Sequence, residues 1–337
     1  MILKDELTQM TKKVFEKYGI EEEIANIITD VLIHANLRGV DSHGVLRVEH
    51  YIKRIKEGGI NPKPVLQETD TSPSTSILDG DNGFGHYISK EAMNIAIKKA
   101  KQTGTGAVAV QNSSHCGALS YFVQQAAKNN LIGIAMTHTD KVVVPFGGAE
   151  PFFGTNPIAF GFPTNKEEAI ILDFATSTVA LGKILNAKEK GEKIPHGWGV
   201  DNNGEATIDP NEVVALSPFG GPKGYGLAMV VEIFSSMLTG AAFGPHISKM
   251  YGDYDKNREL GHFFMAIDPS KFVSIEVFTT RLDAMIQELR NTTPSTHVER
   301  VFIPGEIENI TAKKRETEGI PLPKSVYTYI KNESENY

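Results

Sequence analysis

Between Ser113 and Pro157 the chain reads as a β-like run ending in SSHC, an amphipathic helix, a second β-like run ending in THTDK, and two glycine turns. A strand, a helix and another strand in that order call for a layered α/β fold, because each strand needs sheet neighbours and the helix needs a face to cover. A His and an Asp that each sit where a strand gives way to a loop can meet above one sheet edge, which is where open α/β sheets carry their sites. His115 and Asp140 are therefore the candidate catalytic pair. Gly117 and Ala118 leave room for a ligand to come close, and the HTD run surrounds the aspartate with polar groups. A histidine after a strand also serves as an ordinary structural residue, so the pair needs support from the rest of the chain.

The 337 residues suffice for two domains, and the formal charge of -7, with no dense Lys/Arg stripe, argues against a nucleic-acid surface and for a small partner. Cys116 is the sole cysteine, which excludes an internal disulfide and a cysteine-based zinc site. It neighbours His115, yet no activating cation stands near it in sequence, so a thiol nucleophile is disfavoured. MILKDELTQM is charged from its fourth residue and lacks the apolar centre of a signal peptide. No apolar run approaches membrane-spanning length, and a cytoplasmic protein is expected.

The chain opens helically. Leu7, Met10, Val14, Phe15 and Tyr18 recur at helical spacing before Gly19, and Ile24, Ile27, Ile28, Val31, Leu32 and Ala35 do so before Gly39. A third helix is expected from Asp41 or Ser42 to about Glu57, with His43, Arg47 and Tyr51 every four residues along one polar face. Arg47 offers a planar fork suited to a carboxylate, and His43 and Tyr51 can bond further substrate oxygens. A solvated face would look the same. The polar link NPKPVLQETDTSPSTS marks a change of period, which puts a domain boundary near residue 75.

Beyond it STSILDG, TGTGAVAVQNS, LIGIAMTHT, EAIILDFATST and GHFFMAIDP read as strands. Residues 88–101, the TVALGKILNAKEK run and residues 274–290 read as helices, the last with Val277, Phe278, Leu282, Met285, Ile286 and Leu289 inward. VVVPFGG and GTNPIAFGFP read as turns, and HVERVFIPGE as a short β run. The GTGA fragment at Gly104 precedes a strand instead of joining a strand to a helix, so it is no dinucleotide fingerprint. Asp173, Phe174 and Ala175 end a strand where backbone N–H groups can meet a phosphate or ribose, or merely cap a helix. The loop with Gly220, Gly221, Gly224 and Gly226 around Lys223 has the parts of an anion site but lacks the Ser or Thr of a P-loop.

Taken together, RGVDSHGVLRVEHY, NSSHCGALSYFVQQAA, VPFGGAEPFFGTNPIAF, LDFATS, GPKGYGLAM and VFIPGE resemble the type 2 malate/L-lactate dehydrogenase family of NAD(P)-dependent 2-hydroxyacid oxidoreductases, over nearly the whole chain. SYFVQQAA, VVPFGGAE and MYGDYDKNRELGHFFMAIDP look closest to the branch that oxidises (S)-ureidoglycolate to oxalurate. The resemblance implies a non-Rossmann α/β fold with a mixed sheet in 76–274 and a helical domain in 1–75 joined by 275–337. It also implies a homodimer. By position it makes His115 the general base and Asp140 its partner. Ser42, His43, Arg47 and Tyr51 fall on the substrate side, and Thr139, Asp173, Phe174, Ala175, Lys223, Gly305, Glu306 and Ile307 contact NAD or NADP. Lys141 follows the aspartate where an uncharged residue is expected, which adds a cation near the pair. Malate, L-lactate and L-sulfolactate stand as alternative substrates. No HxH or HExxH spacing supports a metal hydrolase built on His43, His115 and Asp140, so no metal is expected.

Overall fold

The structure is a computed structural model and describes residues 1–335. Helices α1 (Lys4–Lys17), α2 (Glu22–Leu37) and α3 (Val48–Glu57) pack through Leu7, Val14, Phe15, Ile28, Leu32, Tyr51 and Ile52, all buried. Each aliphatic side chain so buried contributes about 1.5–3 kcal/mol relative to exposure. Two helices from the far end of the chain, α9 (Glu306–Glu318) and α10 (Lys324–Glu335), complete this layer. Ile320 and Ile330 enter its core, and Ile2 and Ile320 exchange backbone hydrogen bonds at 3.0 and 2.7 Å. The third helix starts later than its spacing suggests. Asp41–His43 and Val45–Arg47 are two 3-10 turns, and the α-helix begins at Val48.

A seven-stranded mixed sheet forms the second layer. Its strands are β1 (Gln67–Ser72), β2 (Thr75–Asp79), β3 (Thr105–Ser113), β4 (Ile132–Thr137), β5 (Ile158–Phe162), β6 (Ile170–Phe174) and β9 (Leu260–Ile267), in the order β1-β2-β3-β9-β4-β5-β6. Only β2 and β3 pair in parallel, across the long helix α4 (Gly85–Thr103); α5 (Ser120–Ala127) packs on β4 and β5. A two-stranded sheet, β7 (Gly199–Val200) with β8 (Ala215–Leu216), and helices α6 (Leu181–Lys190), α7 (Pro222–Glu232) and α8 (Ile275–Arg290) make up the rest.

Four readings of the sequence change here. The polar link before residue 75 contains β1, an exposed edge strand that has no apolar alternation and stands by pairing with β2 and by the Asp70–Lys99 ion pair at 2.5 Å. GTNPIAFGFP holds β5, whose glycine lies under α5 instead of making a turn. VFIP is irregular and leads into α9. Of the six apolar residues expected to face inward on α8, Ile286 alone is fully buried; Val277, Met285 and Leu289 are 40–47% exposed.

The topology explains where a site can form. β3 and β4 both run antiparallel to β9, and β5 runs antiparallel to β4 and β6, so β3, β4 and β6 point the same way. Their C-terminal ends, and the N-terminal end of β9, therefore lie along one sheet edge. Residues following Ser113, Thr137 and Asp173 converge there with those preceding Leu260.

Candidate active site

A cavity of about 860 Å³ opens at that edge, between the sheet and the helical layer. At one end it is lined by Ser42, His43, Arg47, His115 and Asp140; at the other by Arg38, Asp173, Ala175, Gly305, Ile307 and Glu308, with Leu181 and Leu185 as apolar flank. Residues that the sequence spreads over some 270 positions thus share one wall.

His115 follows β3 through a turn that only a small residue permits. Gly117 has φ +80°, and a Cβ there would come within 3.0 Å of His86 and Val31. The Nδ1 of His115 is hydrogen-bonded to the Tyr51 hydroxyl at 2.7 Å, and the His43 ring stacks on it with centroids 5.5 Å apart. Among the described residues its Nε2 has no hydrogen-bond partner, and the ring lines the cavity. Burial first, and then the nearby His43 and Arg47, hold the imidazole well below its ordinary pKa, so it is neutral at pH 7. Burial likewise holds His43 down to about 4.

Asp140 lines the same cavity but makes a different bond from the one expected. Its Oδ1 accepts from Arg258 Nη2 at 2.9 Å and from the Thr139 hydroxyl at 2.9 Å, and it makes no hydrogen bond to His115. The orienting contact on the imidazole comes from Tyr51 instead. The cation beside Asp140 is Arg258, whose side chain is 2% exposed, whereas Lys141 points to solvent. An arginine placed just before β9 carries no motif, and only the sheet topology brings it under the THTDK loop.

The 3-10 turns at 41–47 aim the substrate-side group. Ser42 Oγ and His43 Nδ1 are 2.9 Å apart, Arg47 Nε donates to the Ser42 carbonyl at 2.7 Å, and Arg47 Nη1 donates to the Tyr251 hydroxyl. Tyr251 sits on a segment that Arg54 pins from below, donating to the carbonyls of Lys249, Met250 and Lys256 at 2.8–3.0 Å. Neither Tyr251 nor Arg54 was legible as a site residue. Among the described residues Arg47 Nη2 makes no hydrogen bond, which leaves part of the guanidinium fork available to an anion.

The second end of the cavity fits a nucleotide by its donor set: a carboxylate at Asp173 for ribose hydroxyls, the backbone at Ala175 and Gly305, and the leucine flank for a base. Asp173 Oδ2 accepts from the Ser120 amide at 2.7 Å, and Arg38 fixes the Gly305 turn through Asn309 at 2.5 Å and the Gly305 carbonyl at 3.5 Å. Thr139 and Phe174 also line the cavity. Lys223 and Glu306 stand outside its wall: Lys223 is exposed at the start of α7, and Glu306 is engaged by Arg290 and Arg300 at 3.3 and 2.9 Å. Cys116 is buried with its thiol pushed up to about 12 by desolvation, which removes it as a nucleophile.

The malate/L-lactate dehydrogenase family profile matches residues 2–331. A ureidoglycolate dehydrogenase (NAD(+)) from Escherichia coli is 41% identical over 329 residues, covering 98% of this chain and 94% of the relative. A malate dehydrogenase from Pyrococcus abyssi is 42% identical over 335 residues, covering 96% and 91%. The solved sulfolactate dehydrogenase of Methanocaldococcus jannaschii superposes with a TM-score of 0.94 at 39% identity, over 99% of this chain and 96% of that one. The chain belongs to the malate/L-lactate dehydrogenase family and is an enzyme of that family.

Proposed function

We propose that the protein oxidises (S)-ureidoglycolate to oxalurate with NAD, and that His115 is the general base. The observation that carries this reading is the His115 imidazole: neutral, fixed through Nδ1 by Tyr51, and presenting an unpartnered Nε2 to a cavity that also holds Arg47. Arg47 binds the substrate carboxylate through its fork, and Ser42 and His43 bond the remaining oxygens. As the carbinol hydrogen leaves with the C–H electron pair, His115 Nε2 takes the hydroxyl proton and the O–H pair closes the carbonyl. A nicotinamide cofactor, when bound, supplies the hydride acceptor. Thr139, Asp173, Phe174, Ala175, Gly305 and Ile307 are the residues that would hold it, with Leu181 and Leu185 as the apolar flank for its base.

The choice of ureidoglycolate rests on the E. coli relative. Malate or sulfolactate is the second reading, supported by relatives of 42% and 41% identity that carry those names. Nicotinamide absorbance followed over (S)-ureidoglycolate, L-malate, L-lactate and L-sulfolactate, with NAD and with NADP, separates them. Highest kcat/KM on ureidoglycolate with NAD is expected; a malate or sulfolactate preference replaces the first reading with the second.

The protein is further proposed to act as a homodimer. Met229 and Val230 on α7, Ile233 and Met237 on the π-turn after it, and Leu238 and Phe243 in the segment that follows are 37–56% exposed, an unusual run of large apolar groups for a surface in water. The outward stripe on α8 is a second such surface. Among the described residues no helix is long and apolar enough to cross a membrane.

A further inference from the structure

His86 is fully buried in the first turn of α4, and the reaction as written gives it no task. Its Nε2 lies 3.4 Å from the Tyr51 hydroxyl, the same hydroxyl that stands 2.7 Å from His115 Nδ1. Its Nδ1 is buried with no hydrogen-bond partner among the described residues. The ring is fixed on two sides, with Tyr51 edge-on at 5.1 Å and Gly117 so close that no side chain fits between.

A tyrosine hydroxyl has one proton to give. If it goes to His115 Nδ1, the imidazole carries its own proton on Nε2, toward the cavity, and can accept nothing from a substrate. If it goes elsewhere, the tyrosine oxygen accepts from Nδ1–H and Nε2 is left bare. Both forms that His115 passes through, neutral base and imidazolium, carry Nδ1–H, so both require the tyrosine proton to be turned away. His86 Nε2 is the other acceptor within reach.

We propose that His86 is a positioning residue whose Nε2 accepts the Tyr51 hydroxyl proton and thereby holds His115 in the tautomer with a free Nε2. Tyr51 and His86 each keep one proton throughout, and His115 keeps its Nδ1–H while Nε2 gains and later releases the substrate proton. The arrangement is a clamp and not a wire, because His86 Nδ1 has no partner through which a proton could leave. The proton taken from substrate stays on His115 until it returns to solvent through the cavity. The titratable groups facing His86 are Tyr51, His115, His43 and, from β9, His262, with no carboxylate among them. Burial holds His86 down to about 3, which keeps it a neutral acceptor.

The inference rests on His115 being the base, and its test separates the two. His86→Gln, His86→Leu, Tyr51→Phe and the Tyr51→Phe/His86→Leu double variant are assayed with whichever acid of the panel turns over fastest, and wild type and His86→Leu are labelled with 15N-histidine. His86→Leu leaves a buried hydroxyl proton unpaired in the productive tautomer, so kcat should fall about 5- to 100-fold, while His86→Gln, which keeps an acceptor, stays within about 3-fold of wild type. In the Tyr51→Phe background His86→Leu should cost nothing further, since no hydroxyl is left to misdirect. The 15N shifts should place the His115 proton on Nδ1 in wild type and on Nε2 in His86→Leu.

Wild-type kcat in His86→Leu, an equal loss in both backgrounds, a His86→Gln protein as impaired as His86→Leu, or a wild-type His115 protonated on Nε2 would each overturn the proposal. If His86→Leu does not fold, the wild-type spectrum and His86→Gln decide. An active His115→Ala enzyme would instead remove the base assignment, and the ligand-free spectrum would still report on His86.

Discussion

At the level of single residues the site depends on which partner each polar group has. Asp140 is bonded to Arg258 and Thr139, so the imidazole of His115 takes its orientation from Tyr51 and its low basicity from burial and the cations around it. His115→Ala removes the group that accepts the proton and leaves Asp173, Ala175 and Gly305 untouched at the far end of the cavity. Its kcat should fall by about 10²- to 10⁴-fold, while NAD binding, followed by fluorescence titration, stays within error of wild type. Near-normal turnover would remove His115 from the mechanism. The sequence already pointed to His115, Asp140, His43 and Arg47, because strand ends and an i,i+4 face are local patterns. Arg258, Tyr251 and His86 were out of reach, because their relevance comes from contacts made across more than 30 positions, and from nothing in their own neighbourhoods.

Among elements, the pair β3 and α4 sets how close the sheet edge lies to the helical layer. Gly106, in the fragment that mimics a dinucleotide fingerprint, has a steric purpose: a Cβ there would lie 2.1 Å from the Ala96 carbonyl and 2.9 Å from the Ala100 amide. Ala92, Ala96 and Ala100 are all fully buried on the helix face opposite, so α4 lies against the strand backbone. Gly106→Val would force the helix outward, at about 1–3 kcal/mol, and lower the urea midpoint without changing the m-value. An unchanged midpoint would mean that the helix is free to shift. Most of β2, β3, β4, β6 and β9 was readable from runs of β-branched and apolar residues. β1 was not, since an exposed edge strand offers no alternation, nor was β5, since its Gly161 and flanking prolines carry the signature of a turn. The outward stripe of α8 was misread for a different reason: periodicity reports that a face is apolar, and not which molecule covers it.

For the molecule as a whole, that last point becomes an expectation about assembly. Ile233→Asp with Met237→Asp places two carboxylates on the apolar π-turn face, and sedimentation should then give a monomer where wild type sediments as a dimer; a wild-type monomer ends the dimer proposal. Acid stability follows from the buried histidines. His86 and His262 are both fully buried and held down to about 3 by desolvation. An unfolded histidine titrates near 6.5, so between that pH and about 3 the unfolded chain binds more protons than the folded one, and stability falls as pH is lowered. Their contribution is fully present above about pH 6.5. From pH 7 to pH 5 each should remove about 2 kcal/mol, which is about 1.4 kcal/mol per pH unit once past the unfolded pKa. Urea denaturation at pH 7, 6 and 5 measures this directly, and His262→Gln should flatten the dependence by one histidine's share, because Thr137 and Ser113 remain to bond an amide in its place. A midpoint that does not move between pH 7 and 5 would mean that these imidazoles are hydrated in the folded protein, and with them the buried polar layer under the active-site edge.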